Sequence, residues 1–179
     1  MPQAAPPLVM RVDHTWDGQP AAPVEAVTLA IEDDGDALLL ALDAHFHDDP
    51  PPPGPPGPTW ALWEHEVVEL FILGPKDRYL EVEVGPHGHH LVLQLDGQRR
   101  IVTQQLPLDL QISHGDRRWQ ARARLPRAWL PEGPHRGNAY AIHGLGPARR
   151  YLAWAPVPGP APDFHRLSCF PPISLPPRG

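Results

Sequence analysis

Apolar residues recur at every second position through much of the chain, the period of strands that turn one face to a core. In "VEAVTLAIEDDGDALLLALDAHF", Val27, Leu29 and Ile31 alternate with polar or small residues. An Asp-Gly turn follows, and Leu38, Leu40 and Leu42 return on one face, which predicts a hairpin. "RWQARARLP" directs Trp119, Ala121, Ala123 and Leu125 inward and its arginines outward. "NAYAIHGLG", "RRYLAWAPV" and "RLSCF" predict three more strands, and "RAWLPEG" no more than a helical turn. Eight or more short strands with turn signals between them predict an all-β chain, an antiparallel β-sandwich with little helix. No repeat or linker interrupts the pattern, so one domain is expected over residues 1–179, ending in a flexible tail at 171–179.

The segment "LWEHEVVELFILGPKDRYLEVEVGPHGHH" breaks the simple pattern with five glutamates among apolar residues. If Val68, Leu70 and Ile72 share a core with Leu80, Val82 and Val84, antiparallel pairing puts Glu69 and Phe71 on the other face with Tyr79, Glu81 and Glu83. The next strand, "HHLVLQL", is expected to send Leu91, Leu93 and Leu95 to that core. His90, Val92 and Gln94 then join the second face, whose polar and aromatic members are His65, Glu69, Phe71, Tyr79, Glu81, Glu83, His90 and Gln94. Glu83 and Gln94 are expected to be solvated, as one face of an antiparallel sheet commonly is. Glu69 differs, because "VVELFIL" is apolar enough for a strand covered on both sides. A carboxylate there needs partners or takes up a proton.

Composition narrows the function. Proline supplies 27 residues and excludes long helices. "DDPPPPGPPGPTW", with its Pro-rich loop at 48–59, is expected to stay outside every ladder, since proline has no amide to donate. A net charge of −6 argues against a nucleic-acid partner, although Arg99-Arg100, Arg117-Arg118 and Arg149-Arg150 could each hold an anion locally. The single cysteine, Cys169, excludes an internal disulfide. The start lacks an apolar leader segment and no run reaches membrane-spanning length, so a cytoplasmic protein without a membrane partner is expected.

"HTWDG", "LWEHEVVELFI", "YLEVEVGPHGHHLVL", "AIHG" and "PDFHRL" occur in that order between His14 and Leu167. Together they resemble the uncharacterised family typified by the product of human chromosome 4 open reading frame 33, over roughly His14 to Phe170. More distantly, an aromatic-acidic strand followed by "YLEVEVGPHG" is similar to family 9 carbohydrate-binding modules and the related DOMON-like domains. The resemblance implies a β-sandwich binding sugars or, in some members, haem. Carried to this chain, it implies Trp63 or Trp60 beside Glu66 and Glu69, then Tyr79 and Glu81, with Trp154 as a late aromatic; the expected ligand cleft takes all of these and adds Arg150. Sugar C–H faces stack on indole rings, while hydroxyls pair with carboxylates and arginine. Trp119 and Trp129 are expected in the core, and Trp16 beside the first turn. The proline loop and His45, His47 and His89 depart from the family pattern.

Other chemistry is less supported. The 11 histidines include His45-x-His47 and the cluster His87, His89 and His90, but none has a diagnostic metal spacing, so no metal is expected. "HEVVE" lacks the second histidine of a zinc-protease helix and lies on a strand pattern. Met10 is the one internal methionine, a thin basis for haem ligation, and no cofactor is expected. A non-catalytic module recognising a saccharide is therefore expected. The alternatives are a sugar-acting hydrolase using Glu69 and Glu81 with His143, and a protein-interaction module that presents the proline arm.

Overall fold

The computed structural model of the chain describes residues 5–179; residues 1–4 of the expected domain lie outside the described residues. Among the described residues, fourteen strands follow one another: β1 (Leu8–Val12), β2 (His14–Thr15), β3 (Val27–Asp34), β4 (Ala37–His45), β5 (Gly57–Pro58), β6 (Val67–Leu73), β7 (Arg78–Val84), β8 (His89–Asp96), β9 (Ile101–Thr103), β10 (Asp109–Gly115), β11 (Arg118–Pro126), β12 (His135–His143), β13 (Arg150–Ala153) and β14 (Pro172–Ile173). Among the described residues, helix is limited to short 3-10 turns, one of them Arg127–Trp129 in "RAWLPEG". No helix among them is long and apolar enough to cross a membrane. A five-stranded sheet, β1-β3-β4-β11-β10, packs on a nine-stranded one, β2-β13-β12-β6-β7-β8-β5, with β14 on β12 and β9 on β8. The β3–β4 hairpin turns at Gly35, in the left-handed region at φ +67°.

The space between the sheets is the larger core. Leu29, Leu40 and Trp119 of the smaller sheet meet Leu70, Leu80 and Val82 of the larger one. The expected sharing of one face by Val68, Leu70, Ile72, Leu80, Val82 and Val84 is present in the β6–β7 register.

The larger sheet is buried on its other face as well. Phe71, Tyr79 and Tyr140 form a second core there, roofed by Phe164, Leu167 and Phe170 from the chain after β13. All seven residues of β6 are buried in consequence. This second layer overturns the expected orientation of β8. Val84 pairs with His90, so Leu91, Leu93 and Leu95 stand opposite Glu83, Glu81 and Tyr79, while Val92 enters the first core. With both faces apolar, alternation along β8 no longer says which face is which. Glu83, expected in solvent, is 0% exposed. Gln94 lies on the first-core face and donates to the Trp129 carbonyl at 3.1 Å.

Three smaller expectations also change. The proline arm does join a ladder: Gly57 and Pro58 run parallel to His89 and His90, and Thr59 N–H donates to the His90 carbonyl at 2.8 Å. Proline keeps its carbonyl, and the flanking residues supply the amide. "RLSCF" is a 3-10 turn, Leu167–Cys169, not a strand. The tail at 171–179 is held down, because β14 pairs with β12, Ile173 and Pro176 are buried, and Arg127 donates to the Pro176 carbonyl at 2.8 Å.

Gly137 explains how β14 comes so close. A Cβ there would sit 2.7 Å from Ile173 Cδ1 and 2.8 Å from the Phe71 carbonyl oxygen. Gly137→Ala is expected to destabilise the fold by about 1–3 kcal/mol. A urea midpoint equal to that of the unchanged chain would show that the close approach is not needed.

Candidate functional site

Strand β6 ends the run that opens at Trp60, and the link between them builds one wall of a cavity. Ala61 takes a left-handed conformation at φ +61°, and a 3-10 turn over Leu62–Glu64 follows. Leu62, 0% exposed, pins that turn to the second core, so Trp60 and Trp63 project beside it. Their rings meet edge to face, with centroids 5.1 Å apart at 83°. Arg149, just before β13, locks the wall: its guanidinium donates to the carbonyls of Trp63 and Glu64, and Nε donates to the Tyr151 hydroxyl at 3.1 Å.

The cavity has a volume of about 440 Å³. Its floor is the outer face of the larger sheet, with Glu69 on β6, Glu81 on β7, Leu93 and Leu95 on β8, and Ile142 on β12. The opposite wall is Pro162, Asp163, Phe164 and His165; Tyr151, Arg99, Ile101 and Glu64 complete the lining. Phe164 is fixed by stacking on Tyr140 at 3.8 Å, and the Tyr140 hydroxyl donates to the Phe164 carbonyl at 3.0 Å.

Three carboxyl groups lie together under this floor. Glu69 is paired with Glu83 across β6–β7, and Glu81 is two residues from Glu83 on the same face. All three are nearly inaccessible, at 2%, 4% and 0% for Glu69, Glu81 and Glu83. Burial pushes Glu69 well above the usual carboxyl range, with the Glu81 charge adding and Arg149 opposing. Glu81 is pushed up to about 7, chiefly by burial, with its bond to Glu83 and the Arg99 charge acting downward. Burial, then Glu69 and Glu81, hold Glu83 high as well. Glu81 and Glu83 are within bonding reach, but a bond forms only when one of them holds a proton. As carboxylates, Glu81 Oε2 and both Glu83 oxygens have no donor.

A short chain of polar contacts borders Glu81. The Arg99 amide donates to the Tyr79 hydroxyl at 2.9 Å, and that hydroxyl lies 2.7 Å from His165 Nδ1. Burial and the Arg99 charge draw His165 down to about 4, so its ring is neutral near pH 7. With the Tyr79 proton assigned to Nδ1, the imidazole N–H is on Nε2, 3.9 Å from Glu81 Oε2. Asp163 accepts from Arg99 at 2.6 Å and from the His165 amide at 3.0 Å, which orders this wall.

Of the eight residues expected to form a cleft, Trp60, Trp63, Glu69 and Glu81 converge on this cavity. Tyr79 stands behind it, stacked on Phe71 with centroids 6.0 Å apart, and reaches it through His165. Glu66, Arg150 and Trp154 do not belong to it. Glu66 and Glu69 are three positions apart near one strand and face opposite ways. Glu66 instead accepts the amides of His47 at 3.0 Å and Asp49 at 3.3 Å. Arg150 forms a two-bond pair with Glu25, at 2.8 and 3.0 Å, and Trp154 packs on the core between the sheets. His143, the expected catalytic partner of the glutamates, is 3.0 Å from Glu25 and stacked on His47 with centroids 3.5 Å apart. The expected Glu69, Glu81 and His143 set does not assemble; the histidine beside Glu81 is His165. Arg99, Arg149, Tyr151, Asp163 and Phe164 are lining residues that the expected cleft did not include. Alternation in "RRYLA" could have separated Arg149 and Tyr151 from Arg150, since i and i+2 share a face.

Among the described residues, no group of three or more potential metal ligands converges. Met10 is 0% exposed within the core between the sheets.

No protein-family model matches the chain. Among solved structures, it superposes on a candidate carbohydrate-binding protein from Bacteroides uniformis with a TM-score of 0.66 and 17% identity, covering 92% of this chain and 84% of the other. That likeness establishes a shared fold. A family 9 carbohydrate-binding module from Caldicellulosiruptor kristjanssonii, in complex with cellotriose, gives a TM-score of 0.49 at 12% identity over 72% of this chain and 65% of that one, too low to add to it. Among curated sequences, a Danio rerio UPF0462 protein C4orf33 homolog is 43% identical over 175 residues, 92% of this chain and 87% of the relative. The Homo sapiens UPF0462 protein C4orf33 is 41% identical over 169 residues, 89% and 84% of the two chains. Identity of that order across nearly the whole length carries the family with it, and the chain belongs to the UPF0462 (C4orf33) family.

Proposed function

We propose that the chain binds a saccharide or a saccharide-like small molecule in the cavity between Trp63 and His165, and that it does so without catalysis. The observation that carries this reading is the pairing of the Trp60–Trp63 wall with the buried carboxyl groups of Glu69 and Glu81 in one 440 Å³ space. Indole rings take the C–H face of a pyranose, and carboxyl groups take its hydroxyls. A volume of that size suits a mono- or disaccharide, within the usual range of about 300–1,000 Å³ for small-ligand pockets. The shared fold with a candidate carbohydrate-binding protein points the same way.

Tryptophan fluorescence titration with a panel of mono- and disaccharides tests the proposal, since Trp60 and Trp63 report directly on the cavity. A saturable change is expected, and Trp63→Ala is expected to weaken binding by about tenfold or more, as loss of a stacking anchor does. Glu69→Gln should weaken binding too, with no glycoside turnover to lose. A panel that leaves the emission unchanged up to millimolar sugar removes the saccharide reading. Hydrolysis of a chromogenic glycoside that is lost in Glu69→Gln would replace it with a hydrolase.

A further inference from the structure

The saccharide reading leaves an excess of buried acids unexplained. Carboxyl groups at the cavity outnumber the cations, and both guanidinium groups already have acceptors. Arg99 donates to Asp163, and Arg149 donates to three carbonyls and the Tyr151 hydroxyl. Neither guanidinium forms an ion pair with Glu69 or Glu81, and Arg149 has no donor pair left for an anionic ligand. Glu81 is 4% exposed, lines the cavity, and leaves Oε2 without a partner. His165 Nε2 stops 3.9 Å short of that oxygen, beyond hydrogen-bond reach. Trp63, Tyr151 and Phe164 line the same cavity.

An unpartnered buried carboxyl in a cavity lined by aromatic side chains suits a cation. A neutral hydroxyl would satisfy one oxygen and leave the buried acid to keep its proton; a protonated amine supplies both the donor and the counter-charge for Glu81 as a carboxylate, and aromatic rings attract it as well. We propose that the ligand of this cavity is an amine-bearing sugar, with Glu81 as the counter-charge of its ammonium group. The inference rests on the saccharide reading and specifies the class of sugar.

Isothermal titration with glucosamine, glucose, N-acetylglucosamine and putrescine, at near-neutral pH, separates the possibilities. Glucosamine is expected to bind at least about tenfold tighter than glucose, a difference of roughly 1.4 kcal/mol, and N-acetylation should erase the advantage. Glu81→Gln should bring the glucosamine-to-glucose ratio close to one. The comparison among ligands on the unchanged chain stands even if that variant fails to fold. Equal binding of glucose and glucosamine overturns the amine inference and leaves the saccharide reading intact. Putrescine binding as tightly as glucosamine supports the ammonium site and overturns the saccharide reading. Absence of binding by all four overturns both.

Discussion

Raising the pH from about 6.5 to about 8 is expected to destabilise the ligand-free chain by roughly 2–4 kcal/mol, a direction opposite to that of proteins whose carboxylates are paired. The sign follows from the buried acids. Glu66 and Glu81 are pushed up to about 7, mainly by burial, and Glu69 and Glu83 are also held well above their ordinary value of 4.5. Between the unfolded and folded values, the folded chain keeps protons that the unfolded chain releases. Stability from this source is full below about pH 4.5 and is lost as pH rises through the folded values. Histidines work the other way. His47 and His165 are drawn down to about 4 from 6.5, mainly by burial, so their contribution is present above 6.5 and is lost as pH falls through about 4. The two sets oppose each other between about pH 4.5 and 6.5, and only the carboxyl slope continues above it. Urea unfolding at a series of pH values measures this slope, and Glu83→Gln should flatten it. A stability that stays level or increases above pH 6.5 would mean that these carboxyl groups are not holding protons.

Asn138→Leu is expected to cost about 3–5 kcal/mol, because it strands several buried groups at once. Asn138 is 0% exposed, and its amide is fully used. Nδ2 donates to the Ala155 carbonyl at 2.8 Å and to the Tyr140 hydroxyl at 3.0 Å, while Oδ1 accepts from the Ala139 and Ala155 amides at 2.9 and 3.0 Å. The Tyr140 hydroxyl in turn holds the Phe164 carbonyl. The side chain therefore ties β12 to the segment that carries Asp163, Phe164 and His165. Denaturant midpoints give the loss in stability. Sugar titration of the folded fraction should show weaker binding as the wall loosens. A variant as stable as the parent chain would mean that water or nearby groups replace the amide.

How much of this was legible in the sequence depended on how local the cause was. The β3–β4 hairpin and the inward face of β11 were readable because each strand there has one buried face. The β6–β7 register was readable from Val68, Leu70 and Ile72 matched to Leu80, Val82 and Val84. Strand β8 was not, because the roof of Phe164, Leu167 and Phe170 gives the larger sheet a second apolar layer. Residues over 70 positions away decide which side of Leu91 counts as inside. The same roof turned Glu83 from a surface residue into a buried one.

The cavity shows the same division. Trp60, Trp63, Glu69 and Glu81 are close in sequence and sit on adjoining elements, so they could be grouped. Arg149 and Asp163 arrive by folding alone. Glu66 was misplaced despite a readable parity, since its spacing from Glu69 already puts the two on opposite faces. Asn138 carries no signal at all: one asparagine in "NAYAIHG" looks like any other until its four bonds are seen.

The pairing of Gly57 and Pro58 with β8 bears on how the molecule meets copies of itself. The path through the larger sheet begins with the two residues of β2 and ends with the two residues of β5. An open sheet recruits foreign strands where a long row of free amides and carbonyls is on offer. Neither terminus here offers one, and at β5 the last residue has no amide to give. The proline arm thus works as a stopper for β8 at His89 and His90, where no amide is left on offer to another chain.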